Sequence, residues 1–103
     1  MAYILRFVQR YRPEDREAFM ALEAEFAKME MRRDAYPKGR RSQPYAGREQ
    51  TCTLVWECEF ESLDAAQKGL ELISNDPEHE GLYRKQVPYM QEAYTEIYEV
   101  LEF

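Results

Sequence analysis

Thr51–Phe60 reads Thr-Cys-Thr-Leu-Val-Trp-Glu-Cys-Glu-Phe, and its alternation leaves little freedom. Cys52, Leu54, Trp56, Cys58 and Phe60 share one parity; Thr51, Thr53, Val55, Glu57 and Glu59 share the other. A strand sends successive side chains to opposite faces, so this segment has one apolar and one mostly polar face. Such a strand needs neighbours in a sheet and a layer packed on one side only.

The flanking segments supply both. Ala2–Tyr11 alternates imperfectly, with Tyr3, Leu5, Phe7 and Tyr11 on one parity and Ile4 and Val8 beside Arg6 and Arg10 on the other. Apolar groups on both faces suit a central strand. Pro13 fits a first helical turn, and Glu14, Asp15 and Glu17 place negative charge at the positive end of the helix dipole. Phe19, Leu22, Phe26 and Met29 form one stripe, which predicts a helix from Pro13 to Met31 with its charged remainder in water. Arg33–Gln43 is a connector punctuated by Pro37 and Gly39. A short strand is expected from Arg40 toward Tyr45, at an edge because Pro44 cannot donate to a ladder. Ala46–Glu49 then makes a hairpin turn.

Beyond Phe60, Ser62 is an N-cap and Ala66, Leu70 and Ile73 are the stripe of a second helix that stops at Asn75. Asp76-Pro77 restarts a short helix ending before Pro88. Gln91–Phe103 alternates again and predicts the last strand, apolar on both sides. The order β–α–β–β–α–β gives the ferredoxin-like α+β arrangement: a four-stranded antiparallel sheet, both helices on one face, first and third strands central. One domain is expected over residues 1–103.

Three features carry a resemblance. They are the opening Tyr-Ile-Leu-Arg-Phe strand, the Leu54-Val55-Trp56 strand leading into Phe60-Glu61-Ser62-Leu63-Asp64-Ala65-Ala66, and the closing Tyr94–Leu101 strand after a Pro-flanked helix. The chain resembles the dimeric α+β barrel superfamily, which includes antibiotic-biosynthesis and haem-degrading monooxygenases and stress-responsive barrel proteins. The resemblance implies two sheets face to face in a homodimer, helices outside, and ligands between helices and sheet. Haem-degrading relatives carry an Asn on the first strand, a Trp on the second helix and a His after it. Here the Asn and the Trp are absent, and His79 is a poor match for the His. A homodimer is also argued from the Ile and Tyr groups that one layer of helices leaves uncovered.

Charge narrows the function. Eleven Lys/Arg face eight Asp/Glu up to Trp56, but three face twelve from Glu57 onward, and the net charge is −6. An acidic chain without a Gly-rich aromatic strand signature is not a nucleic-acid binder. No apolar run reaches membrane length. Cys52 and Cys58 share a strand face with Cα atoms about 20 Å apart, beyond the roughly 7 Å a disulfide allows. Unpaired thiols fit a reducing, cytoplasmic setting.

The ligand-binding candidates are Phe7, Arg41, Tyr45, Trp56, His79 and Tyr83. Trp56 reads first as core. His79, the only histidine, reads first as a residue of a short exposed helix. Arg32, Arg33, Lys38, Arg40, Arg41 and Arg48 form a basic run, able to grip an anion but more simply solvated or paired with the acidic C-terminal half. One His and no Cys/His cluster exclude the usual metal sites, and no cofactor is expected. Three functions follow: a homodimeric small-molecule-binding protein, a cofactor-independent monooxygenase acting on a small aromatic or polyketide-like substrate, or a structural interaction module.

Overall fold

The computed structural model describes residues 1–103. Its strands are β1 (Tyr3–Tyr11), β2 (Arg40–Ser42), β3 (Thr53–Phe60) and β4 (Met90–Glu99). Its helices are α1 (Arg16–Arg32), α2 (Leu63–Ser74) and α3 (Pro77–Gln86). The sheet runs β2-β3-β1-β4 and every neighbouring pair is antiparallel. This is the expected ferredoxin-like α+β fold with β1 and β3 central. The helix start is refined: Pro13–Asp15 is a 3₁₀ turn feeding α1. Ser62 caps α2 by accepting from Ala65 N–H at 3.0 Å, as its residue type predicts.

Register separates the two faces. Leu5 pairs with Cys58, Phe7 with Trp56 and Gln9 with Leu54, so these side chains point toward the helices. Leu5, Phe26, Met29, Tyr36, Trp56 and Ile73 form the main core cluster. A second cluster joins Tyr11, Phe19 and Leu54. Each fully buried large side chain contributes roughly 1.5–3 kcal/mol of transfer free energy.

The open face carries Arg6 opposite both Glu57 and Glu96, and Arg10 opposite Glu92. All three pairs close at 3.0–3.1 Å. It is therefore a cross-strand charge ladder more than an apolar sheet. Val8, Val55 and Thr53 lie on it yet are buried. The loop between β2 and β3 folds over this end, where Tyr94 Oη donates to Glu49 at 3.0 Å. Tyr98, near the other end, stays 48% exposed.

Two sequence boundaries move. β2 stops at Ser42 instead of reaching Tyr45, because Pro44 ends the ladder, and Gln43–Cys52 makes a wide loop in place of a tight hairpin. β4 ends at Glu99 because its partner β1 begins at Tyr3; Val100 N–H still reaches Ala2 O at 2.9 Å, and Leu101 and Phe103 stand exposed.

Two glycines give a test. A Cβ on Gly39 would fall 2.0 Å from Trp56 Cε2, against a ring locked in the core. A Cβ on Gly69 in α2 would fall 2.6 Å from the tip of the Phe60 ring, the far end of a half-buried side chain. Gly39→Ala is expected to cost about 1–3 kcal/mol in urea unfolding. Gly69→Ala is expected near neutral, because helix propensity returns about 1 kcal/mol.

Candidate functional site

The site begins with α1. Phe19, Glu23, Phe26 and Glu30 recur at helical spacing and all four are buried. The two carboxylates thus sit on the stripe that faces the core, not in water as the charge pattern predicted. Glu23 is 7% and Glu30 6% exposed. Their burial has a local cause. Arg41, whose register partner is Trp56, points to the same side of the sheet and reaches both. Its Nε donates to Glu23 Oε2 at 2.6 Å, and its Nη2 donates to Glu30 Oε2 at 2.5 Å. Glu30 also accepts from Gly39 N–H at 3.1 Å and Trp56 Nε1 at 3.3 Å. Burial pulls the Arg41 guanidinium down, but the two carboxylates outweigh it and hold it above its ordinary range.

Gln86 completes this network from the end of α3. Its Nε2 donates to Phe19 O at 3.3 Å and Glu23 Oε1 at 3.0 Å. Both partners are acceptors, which fixes the amide orientation. Its Oε1 is left buried without a partner, as is the Tyr36 hydroxyl. Burial, with Asp76 and Glu30 adding to it, pushes the Tyr36 phenol far above its ordinary range, so it stays protonated.

These groups wall a small inner chamber of about 30 Å³, together with Phe7, Gln9 and His79. That is room for one water-sized group. A larger cleft of about 280 Å³ adjoins it between α2, α3 and β4. Phe7, Gln9, Ile73 and His79 line both, so His79 stands where one opens on the other. The cleft exists because β4 is an edge strand with small Ala93 and Thr95 on its helix side, while Tyr83 and Leu70 form the opposite wall.

His79 is held in place by α3's own start. Asp76 caps the helix by accepting His79 N–H at 2.9 Å. Arg33 grips the same carboxylate with two bonds, at 2.8 and 2.7 Å, and so joins the end of α1 to the start of α3. The His79 ring lands 5.0 Å from Phe26 and 6.0 Å from Tyr83 between centroids. It is half-buried, and the expectation of an exposed, idle histidine is corrected: α3 leans on α1, which brings the ring inward. Burial lowers its pKa, and nearby Asp76, Glu80 and Glu30 only partly offset this.

The other candidates divide. Phe7 and Trp56 stack at 4.9 Å; Trp56 is core, as read, and also a chamber wall. Tyr83 lines the cleft. Tyr45 is 97% exposed on the β2–β3 loop and lines neither space, because β2 ends before it. Arg41 is present but not free to grip an anion, since two carboxylates saturate it. The basic run is largely consumed by pairing: Arg32 binds Glu78, Arg33 binds Asp76, and Lys38 donates to three backbone carbonyls. Burial, with Glu30 nearby, pushes the Cys58 thiol up and away from reactivity. No group of three or more His, Cys, Asp and Glu is placed to hold a metal ion. No helix is long and apolar enough to cross a membrane. Glu23, Glu30, Tyr36, Gln86 and Gln9 are site residues that sequence reading missed. Only the 19-23-26-30 spacing hinted at the first two.

Removing Arg41 leaves two buried carboxylates unpaired. Arg41→Met is expected to lose about 3–5 kcal/mol in urea unfolding, whereas exposed Arg40→Met stays within about 0.5 kcal/mol. Acid should act through His79. Its folded pKa lies below the unfolded value of about 6.5, so the unfolded chain takes up the proton first. The stability present above that pH is lost as pH falls below it toward the folded pKa. Asp76, held low chiefly by its bond to Arg33, adds a second loss only below about pH 4. Thermal unfolding between pH 7.5 and 5 should therefore slope downward in the parent chain and run flatter in His79→Phe.

No family profile matches the sequence, and no curated protein matches it. Solved structures do match in shape. A NIPSNAP family protein from Agrobacterium tumefaciens superposes with a TM-score of 0.77 at 11% identity, covering 99% of this chain and 88% of the other. An uncharacterised NIPSNAP domain protein from Burkholderia xenovorans gives 0.76 at 15%, covering 100% and 97%. A protein provisionally described as an antibiotic biosynthesis monooxygenase, from Nitrosomonas europaea, gives 0.70 at 14%, covering 97% and 90%. At such identities the likeness speaks for the fold, and that fold is the ferredoxin-like α+β arrangement expected from the order of the elements.

Proposed function

We propose that this chain is a homodimeric small-molecule-binding protein of the cytoplasm whose ligand occupies the cleft between α2, α3 and β4. One observation carries the reading: a cleft of about 280 Å³ with mixed apolar and polar walls adjoins a buried polar chamber with unpartnered hydrogen-bonding groups. A cavity of about 150 Å³ accommodates a benzene ring elsewhere, so a one-ring ligand fits. Buried polar groups without partners cost free energy, and a ligand that pairs them recovers it. The homodimer is supported by the open sheet face, which no helix covers and on which Tyr98 stands half-exposed.

A second reading is favoured by His79. A neutral imidazole in a cleft is a base able to take a proton from an electron-rich substrate that then reacts with oxygen. One structural neighbour is described as an antibiotic biosynthesis monooxygenase. Oxygen uptake on adding phenolic or polyketide-like substrates, lost in His79→Phe, supports this reading; no uptake with any of them rejects it.

The binding reading is tested by filling the cleft. One-ring fragments should shift the backbone amide resonances of Ser74, Tyr83 and Thr95. Ala93→Trp, on the exposed rim, should keep the fold and weaken that binding at least about tenfold, as steric exclusion of a buried ring predicts. Unchanged affinity in Ala93→Trp rejects the cleft as the site. Light scattering at micromolar concentration should give twice the chain mass, shifted toward one chain by Tyr98→Asp; a monomeric parent chain rejects the dimer.

A further inference from the structure

Hydrogen-bond accounting in the inner chamber says what kind of group belongs there. The guanidinium, the indole and the Gln86 amide nitrogen that face it are already engaged. Arg41 spends Nε on Glu23 and both terminal nitrogens on Glu30. Trp56 Nε1 is bound to Glu30, and Gln86 Nε2 to Phe19 O and Glu23. Two buried oxygens are left over, and one of them, on Gln86, can only accept. Gln86 is 0% exposed, lines the chamber, and its Oε1 has no partner. The Tyr36 hydroxyl, also unpartnered, supplies a second oxygen able to accept.

Charge points the same way. Glu23 and Glu30 bring two formal negative charges against the single positive charge of Arg41. Arg33, which lies over the Tyr36 ring, is held by Asp76 and Glu78. Arg6 and Arg10 are on the opposite face of the sheet. The chamber is thus one negative charge in excess, with no cation free to meet an anion. Aromatic rings complete the wall: Phe7 stacked on Trp56, Phe26 beside His79, and Tyr36, whose ring carries Arg33 at 4.9 Å.

We propose that the inner chamber receives a small ammonium group, carried on a ring or short apolar chain that lies in the outer cleft. This rests on the reading of the cleft as a ligand site. An ammonium has three donors and no acceptor, which suits Gln86 Oε1, the Tyr36 oxygen and the surplus negative charge. The volume of about 30 Å³ sets a size limit. A primary ammonium is about as large as a water molecule and fits; a trimethylammonium does not.

Four compounds with one shared ring test this on the unmodified chain: benzylamine, benzyl alcohol, benzoate and benzyltrimethylammonium, titrated at neutral pH by backbone amide chemical shifts. Benzylamine is expected to shift the Gln9, Tyr36 and Gln86 resonances and to bind at least about tenfold more tightly than benzyl alcohol, the size of one charge-assisted hydrogen bond. Benzoate should not bind, and the trimethyl compound should lose most of the gain. Gln86→Met should weaken benzylamine about fivefold or more, by loss of one charge-assisted acceptor. The parent-chain series stands even where that variant folds poorly. Benzyl alcohol or benzoate binding in the cleft as tightly as benzylamine overturns the ammonium assignment and leaves the cleft reading intact. If none of the four perturbs cleft residues, the cleft reading itself falls, and the assignment with it.

Discussion

A guanidinium that leaves water needs anions or acceptors on every side, and Arg41 finds them on a single helix. Glu23 and Glu30 lie seven residues apart on α1, two turns along the same stripe, and the guanidinium spans them. The consequences reach well beyond the ion pair. β2 has three residues and one sheet neighbour, too little to stay docked by ladder bonds alone. Arg41 ties it to α1 across the top of Trp56. Glu30 then holds the Trp56 indole and the Gly39 backbone, and Glu23 holds Gln86 at the end of α3. One buried charge cluster thereby sets the relative positions of β2, α1 and α3, which are the elements that wall the inner chamber.

Much of this architecture could be read from residue order. The period-two pattern of Leu54, Trp56, Cys58 and Phe60, the Ser62 and Asp76 caps, and Pro44 at an edge all did locally what their chemistry requires. The site was less legible, for a physical reason. A Glu on a helix stripe reads as solvent-facing unless its partner is known, and here the partner is Arg41, eleven to eighteen residues away on a strand whose register no local pattern specifies. The same holds for Gln86. It sits among Arg84, Lys85 and Pro88 and looks like a surface residue, yet the tilt of α3 against α1 buries it completely. His79 was misplaced for that reason too. The Arg33–Asp76 pair that aims it joins segments forty-three residues apart.

The two faces of the sheet use charge differently. On the open face Arg6 and Arg10 sit beside glutamates at direct cross-strand positions, part-exposed and screened by water. Pairs of that kind contribute up to about 1 kcal/mol each. They keep the uncovered face of the sheet charged, not apolar. Under the helices the same residue types are withdrawn from water, where each unpaired group is costly and geometry is strict.

That contrast bears on why the inner chamber is polar at all. Replacing a buried ion pair by well-packed apolar side chains of similar volume is often neutral or stabilising by about 1–4 kcal/mol. A leucine in place of Gln86 would spare the cost of its orphaned oxygen, about 1–3 kcal/mol. Stability alone therefore does not account for two carboxylates, a guanidinium and a buried amide gathered around a space of about 30 Å³. The apolar clusters around Leu5 and Tyr11 define the core, and the polar cluster fixes where β2 and α3 sit beside it. The polar cluster lies where this space meets the larger cleft, with His79 at the junction and Gln86 Oε1 and the Tyr36 hydroxyl unmatched. A ligand group able to donate there, as proposed, would offset that cost.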